Sequence, residues 1–119
     1  MMEVFKMSEL TKKHCATCKT GISPLAFEQI QIMLKKVPKW QPDKNVTKIY
    51  RMFQFKNFYQ TIAFVNAIAW IANQENHHPR LEIEYNKCIV EYWTHTIGTV
   101  SENDFICAAK IDLLYLNTN

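Results

Sequence analysis

The stretch "NHHPRLEIEYNKCIVEYWTH", Asn76 to His95, decides how the chain is organised. Pro79 lacks an amide hydrogen and disfavours a helical conformation at His78, so a helix arriving from the N-terminal side stops here. Two strand-like runs follow, "RLEIEY" and "KCIVEYWTH", hinged about Asn86. A hairpin centred on Asn86 sets His77 opposite His95, and opposed side chains lie about 4.5–5.5 Å apart at Cβ. That register puts Pro79, Leu81, Ile83 and Tyr85 on one face with Ile89, Glu91 and Trp93, and Arg80, Glu82 and Glu84 on the other with Cys88, Val90 and Tyr92. A two-residue turn at Asn86 and Lys87 sets His78 opposite His95 instead. Either register gathers three of the four histidines at one end of the hairpin, at a mouth lined by Trp93 and Tyr92.

Outward from the hairpin, "KNFYQTIAFVNAIAWIANQEN" repeats Phe58, Ile62, Val65 and Ala69 at helical spacing, with Phe64, Ile68 and Ile71 widening the apolar face. Before it, "PDKN" is a turn between Trp40 on a first arm and an alternating second arm from Val46 to Phe53. "SPLAFEQIQIMLKKV" predicts a first helix, capped by Ser23 with Pro24 in its first position and ending before Pro38. "SENDFICAAKIDLLYL" predicts a last helix opened by a capping box, with Asp104 three residues after Ser101. The order α-β-β-α-β-β-α implies an α+β fold, a four-stranded antiparallel sheet with three helices packed on one face. Residues 1–22 have no sustained period and read as a loosely attached lead-in, with residues 23–119 as a single domain. The uncovered face and edges of such a sheet are available for self-association.

A 119-residue chain that is 48% apolar can fill one modest core. Fourteen basic and eleven acidic residues, evenly spread, give a net charge of +3, which argues against a nucleic-acid footprint. No apolar run approaches the roughly 18 residues needed to cross a bilayer, and the opening "MMEVFKMSELTKKHC" lacks the pattern of a secretory signal. The expected location is cytoplasmic, with Cys15, Cys18, Cys88 and Cys107 as thiols. "HCATC" offers His14, Cys15 and Cys18 at a zinc-like spacing, but no second matching pair follows.

A single histidine near a helix end more often binds free carbonyls than does chemistry; three together can supply a proton donor and a proton acceptor near neutral pH. They make a poor metal site, because adjacent ligands such as His77 and His78 rarely point the same way and no HExxH pattern is present. At these residues the chain resembles the pterin-4a-carbinolamine dehydratase family. The resemblance rests on His77-His78-Pro79, Tyr85-Asn86-Lys87, Thr94-His95 and the acid Asp104, with Trp40 and "FQFKNFYQTIAFVNAIA" upstream, and covers about residues 24 to 116.

It implies an antiparallel sheet with three helices, usually as a homodimer or homotetramer. The implied reaction is dehydration of 4a-hydroxytetrahydropterin to quinonoid dihydropterin, serving an aromatic amino acid hydroxylase, with no metal or organic cofactor. It further implies His77 and His95 as acid/base residues and His78 as the residue that binds and orients the pterin. Pro79, Trp93, Asn73 and Thr94 complete the candidate substrate-binding set. Where the family commonly has an acid four positions before the first histidine, this chain has Asn73, which can hydrogen-bond an imidazole but cannot stabilise its cation by charge. Leu81 stands where many members have an aromatic residue, leaving Trp93 to supply a stacking wall. The alternative is a non-enzymatic dimerisation module, as some family members are partners of transcription factors.

Overall fold

The computed structural model describes residues 9–17 and 21–118. Its elements in chain order are α1 (Phe27–Lys36), β1 (Gln41–Pro42), β2 (Ile49–Gln54), α2 (Phe58–Glu75), β3 (Arg80–Glu84), β4 (Lys87–Tyr92) and α3 (Glu102–Thr118). The strands form one antiparallel sheet in the order β1-β2-β4-β3, and the helices cover one face. This is the expected α+β architecture. One addition is that residues 9–11 are helical as well. No helix among the described residues is long and apolar enough to cross a membrane.

The second hairpin takes neither anticipated register. Glu84 opposes Lys87 and Arg80 opposes Glu91, so the turn is Tyr85–Asn86, and every pairing is shifted by one residue from the register centred on Asn86 and by two from the other. A one-residue slip exchanges the two faces of a strand. The core side of β4 is therefore Cys88, Val90 and Tyr92, all fully buried, facing the same way as Leu81 and Ile83. The cause lies in the neighbour on the other edge. β4 is central, and its pairs Cys88↔Phe53 and Tyr92↔Ile49 align it with the buried residues of β2. The turn itself is pinned from α2, where the buried Thr61 hydroxyl donates to Tyr85 O (2.9 Å), and from the end of β2, where Phe55 N–H donates to Asn86 O (2.8 Å).

The first helix begins three residues later than Ser23 and Pro24 suggest. Leu25 N–H is drawn instead to Val100 O (3.3 Å), and Ala26 caps the helix while its N–H donates to Gln29 Oε1 (2.9 Å). In the first hairpin Asp43 binds the turn, accepting from Thr47 N–H (2.7 Å), Lys48 N–H (3.0 Å) and the Thr47 hydroxyl (3.0 Å). Trp40 is buried and donates from Nε1 to Asp112 Oδ1 (2.8 Å), which Arg51 also contacts at 2.7 Å. On α2 the buried row is Thr61, Phe64, Ile68, Ala72 and Glu75, while Tyr59 and Trp70 face outward. Apolar residues nearly encircle this helix, so its pattern alone does not choose the inner face.

Residues 9–17 are not loosely attached. Leu10 is part of the core, and the side chain of Glu75, 3% exposed, accepts from Cys15 N–H (2.8 Å) and His14 Nδ1 (2.9 Å). Asn103 takes Ala16 at both ends, accepting from its N–H and donating to its carbonyl, each at 2.9 Å. Cys15 Sγ lies 3.6 Å from Cys107 Sγ, and this contact, together with burial, pushes the Cys15 thiol up.

Burial alone raises a carboxyl pKa, but the Cys15 and His14 hydrogen bonds and the Lys110 ammonium outweigh it and hold Glu75 below the usual range. A depressed carboxylate contributes stability that is complete above its unfolded pKa and disappears as the pH falls through the folded value. Glu75→Gln is expected to cost about 1.5–3 kcal/mol at neutral pH, the worth of hydrogen bonds to a charged group. It should also flatten the loss of stability below about pH 4, to be checked by denaturant titrations at pH 7, 5 and 3. An acid branch identical to the wild type would show that Glu75 does not carry it.

Candidate active site

α2 ends at Glu75 because Asn76 takes a left-handed conformation (φ 52°), and His77 N–H closes the terminus by donating to Ala72 O (3.0 Å). The stop thus falls before Pro79 and leaves His77 and His78 on an extended link into β3. After β4 the chain passes Trp93 and Thr94 into a single 3-10 turn, His95–Ile97, closed by Gly98. Gly98 is left-handed (φ 66°), where a side chain would strain the backbone, and its N–H reaches back to His95 O (3.3 Å). This tight turn puts His95 on the surface beside His78, with ring centroids 5.4 Å apart.

Asp104, in the first turn of α3 and fully buried, is the hub. Its Oδ1 accepts from His77 Nε2 (2.6 Å), and its Oδ2 accepts from Ser101 N–H (2.8 Å) and the Thr94 hydroxyl (2.8 Å). With the Thr94 proton spent on Asp104, the Ser101 hydroxyl donates to Thr94 Oγ1 at 2.7 Å. An ionised carboxylate only accepts, so opposite one a neutral His77 ring carries its hydrogen on Nε2 and has Nδ1 as its acceptor nitrogen. The imidazole also stacks on Tyr92 (5.2 Å, 23°), whose hydroxyl donates to His77 O (3.2 Å). Burial pushes the Tyr92 phenol well above its ordinary value, which keeps it a donor.

Two clefts share Asn76, His77 and His78 as a wall. The larger, about 390 Å³, runs along α2 and includes Asn73, Pro79 and Leu81. The smaller, about 190 Å³, lies toward the 3-10 turn and adds Ile22, Thr94, His95 and Thr96. The three histidines therefore meet, although neither proposed pairing across the hairpin brings them together. Asn73 reaches the larger cleft but has no hydrogen bond to His77 among the described residues, because the helix ends between them. Trp93 stacks on His95 (4.5 Å, 19°), with Lys48 Nζ 4.4 Å from its ring centre, so it buttresses that histidine. Of His14, Cys15 and Cys18, the first two bind the lead-in to Glu75 and Cys107, and Cys18 lies outside the described residues. The residue underrated by sequence is Asp104, legible as a helix cap but not as the anchor of His77.

Residues 23–114 match the sequence profile described as Pterin 4 alpha carbinolamine dehydratase. The chain belongs to this family. A Nitrosomonas europaea protein, provisionally named pterin-4-alpha-carbinolamine dehydratase, is 52% identical over 108 residues, covering 90% of this chain and 94% of its own. A similarly named protein of Legionella pneumophila (strain Corby) is 51% identical over 111 residues, covering 92% and 98%. A crystal structure from Brucella melitensis, described as a transcriptional coactivator/pterin dehydratase, superposes with a TM-score of 0.75 at 28% identity, over 78% of this chain and 99% of its own. The Legionella match reaches beyond the pterin-dehydratase profile into the lead-in that binds Glu75 and Asn103.

Proposed function

We propose that the chain dehydrates 4a-hydroxytetrahydropterin to quinonoid dihydropterin, restoring a pterin that an aromatic amino acid hydroxylase has used. The reaction breaks the C4a–O bond. The hydroxyl takes up a proton and leaves as water, while a ring nitrogen releases a proton and its electron pair forms the new C=N bond. One proton donor and one acceptor are needed at a flat heterocycle, without any change of oxidation state.

His77 and His95 are the residues to which we assign these proton transfers, with His78 between them binding and orienting the ring. The supporting observation is that all three line one cleft, with His77 Nε2 held 2.6 Å from a buried carboxylate. Asp104 faces the positive charge that His77 bears when protonated, and Thr94 serves the site through Asp104 because its hydroxyl is committed there. Pro79 and Asn73 line the approach, and Trp93 holds His95. This fits family membership, and the cytoplasm is where such recycling is needed. The wild-type protein is expected to accelerate loss of water from chemically generated 4a-hydroxytetrahydropterin, followed by ultraviolet absorbance in stopped flow. A rate equal to the uncatalysed one would leave only the reading of the fold as an interaction module.

A further inference from the structure

The lead-in is fastened immediately beside the histidines, and the chain leaving it forms part of their cleft. Among its polar anchors are Glu75, two residues before His77, and Asn103, next to Asp104. Lys110 adds another tie, donating from Nζ to Thr11 O (3.0 Å). Downstream, Ile22 is partly buried and lines the smaller cleft with His77, His78, His95 and Thr96. Among that group it is the only large aliphatic side chain, set against imidazoles, an amide and hydroxyls. Gly21, just before it, has φ +90°, a conformation that side chains rarely adopt, with open space where its Cβ would be. A left-handed residue here sets the direction in which the chain delivers Ile22.

We propose that Ile22 is a specificity-determining wall of the pterin site, presented by Gly21, which packs against the face of the bound heterocycle near His78 and His95. The proposal rests on the function assigned above. A flat ring has polar edges and apolar faces; the histidines and threonines suit the edges, and Ile22 supplies the aliphatic surface for a face. The contact does not depend on where the reacting proton lies, so it acts equally on the ground state and the transition state. Losing it should then raise KM and leave kcat largely intact.

The test compares Ile22→Ala, Ile22→Val and Gly21→Ala in the full-length protein with Ile32→Ala, a matched substitution on the exposed surface of α1. Steady-state dehydration gives kcat and KM, and fluorescence titration with 7,8-dihydropterin gives Kd. Ile22→Ala is expected to raise KM and Kd about five- to tenfold, the effect of removing part of one aliphatic contact, with kcat within about twofold of wild type. Ile22→Val should recover most of the affinity, and Ile32→Ala should match wild type. Gly21→Ala, whose methyl meets no neighbour, should raise KM through the backbone alone.

The inference is overturned if KM and Kd for Ile22→Ala and Gly21→Ala stay within twofold of wild type while the wild-type enzyme is active. It also falls if kcat drops in step with thermal stability, which would make Ile22 a packing residue only. A wild-type protein that neither binds dihydropterin nor accelerates the reaction would remove the functional assignment itself, and this proposal with it.

Discussion

His95→Ala is expected to lower kcat for pterin dehydration by about 10²–10⁴-fold, the usual worth of a positioned proton-transfer group. It should do so without shifting the thermal midpoint. His95 is exposed, sits in a single 3-10 turn, and is in ring contact with His78 and Trp93. Removing it opens no cavity and leaves no buried polar atom without a partner. His77→Ala should lose activity to a similar degree but also destabilise the fold, because Oδ1 of the fully buried Asp104 loses its donor. Circular dichroism melts beside single-turnover kinetics separate the two cases. A His95→Ala protein with unchanged kcat would remove that residue from the chemistry.

Asp104 carries the second large effect, on stability and activity together. Asp104→Ala leaves His77 Nε2, the Thr94 hydroxyl and Ser101 N–H facing a buried void, and breaking a buried charged network of this kind costs about 3–5 kcal/mol. Asp104→Asn is the sharper experiment because it preserves volume. In one amide orientation the new NH₂ meets Ser101 N–H, donor against donor at 2.8 Å, and the Thr94 hydroxyl must turn round to accept. In the other it meets His77 Nε2, which must then accept, moving the imidazole proton to Nδ1 and abolishing the free acceptor. Activity is therefore expected to fall toward the level of the His77 variant while the domain stays folded. An Asp104→Asn protein with wild-type kcat would show that the tautomer of His77 is immaterial.

The architecture was legible because each element carries its own local signal: alternation in β2, Pro79 after the long helix, and Ser101 with Asp104 at the start of α3. The meeting of three histidines was legible too, since any register of the hairpin brings its two ends together. The register itself was not. It depends on β4 matching β2, a strand separated from it by all of α2, and the sequence of the hairpin holds no record of that partner. Ile89 and Trp93 made the wrong side of β4 look apolar, whereas the core takes Cys88, Val90 and Tyr92. The lead-in escaped for a different reason. Apart from Leu10, it is held mainly by carboxylate, amide and ammonium groups bound to its backbone, which impose no pattern on the residues they grip.

These contacts have a consequence for the order in which the molecule can assemble during synthesis. Cys15 finds its partners 60, 88 and 92 positions later in the chain, at Glu75, Asn103 and Cys107. His77 and Asp104, by contrast, are 27 apart. Translation proceeds from the N-terminal side, so the segment that grips the site is made well before anything it can grip. Glu75 comes first, on α2, but the set is complete only when α3 has emerged from the ribosome. The hairpin and α3 can form the histidine cluster by closing short loops, and the lead-in then closes the longest ones. The earliest part of this region to be translated is thus expected to be the last to settle, on a site already built.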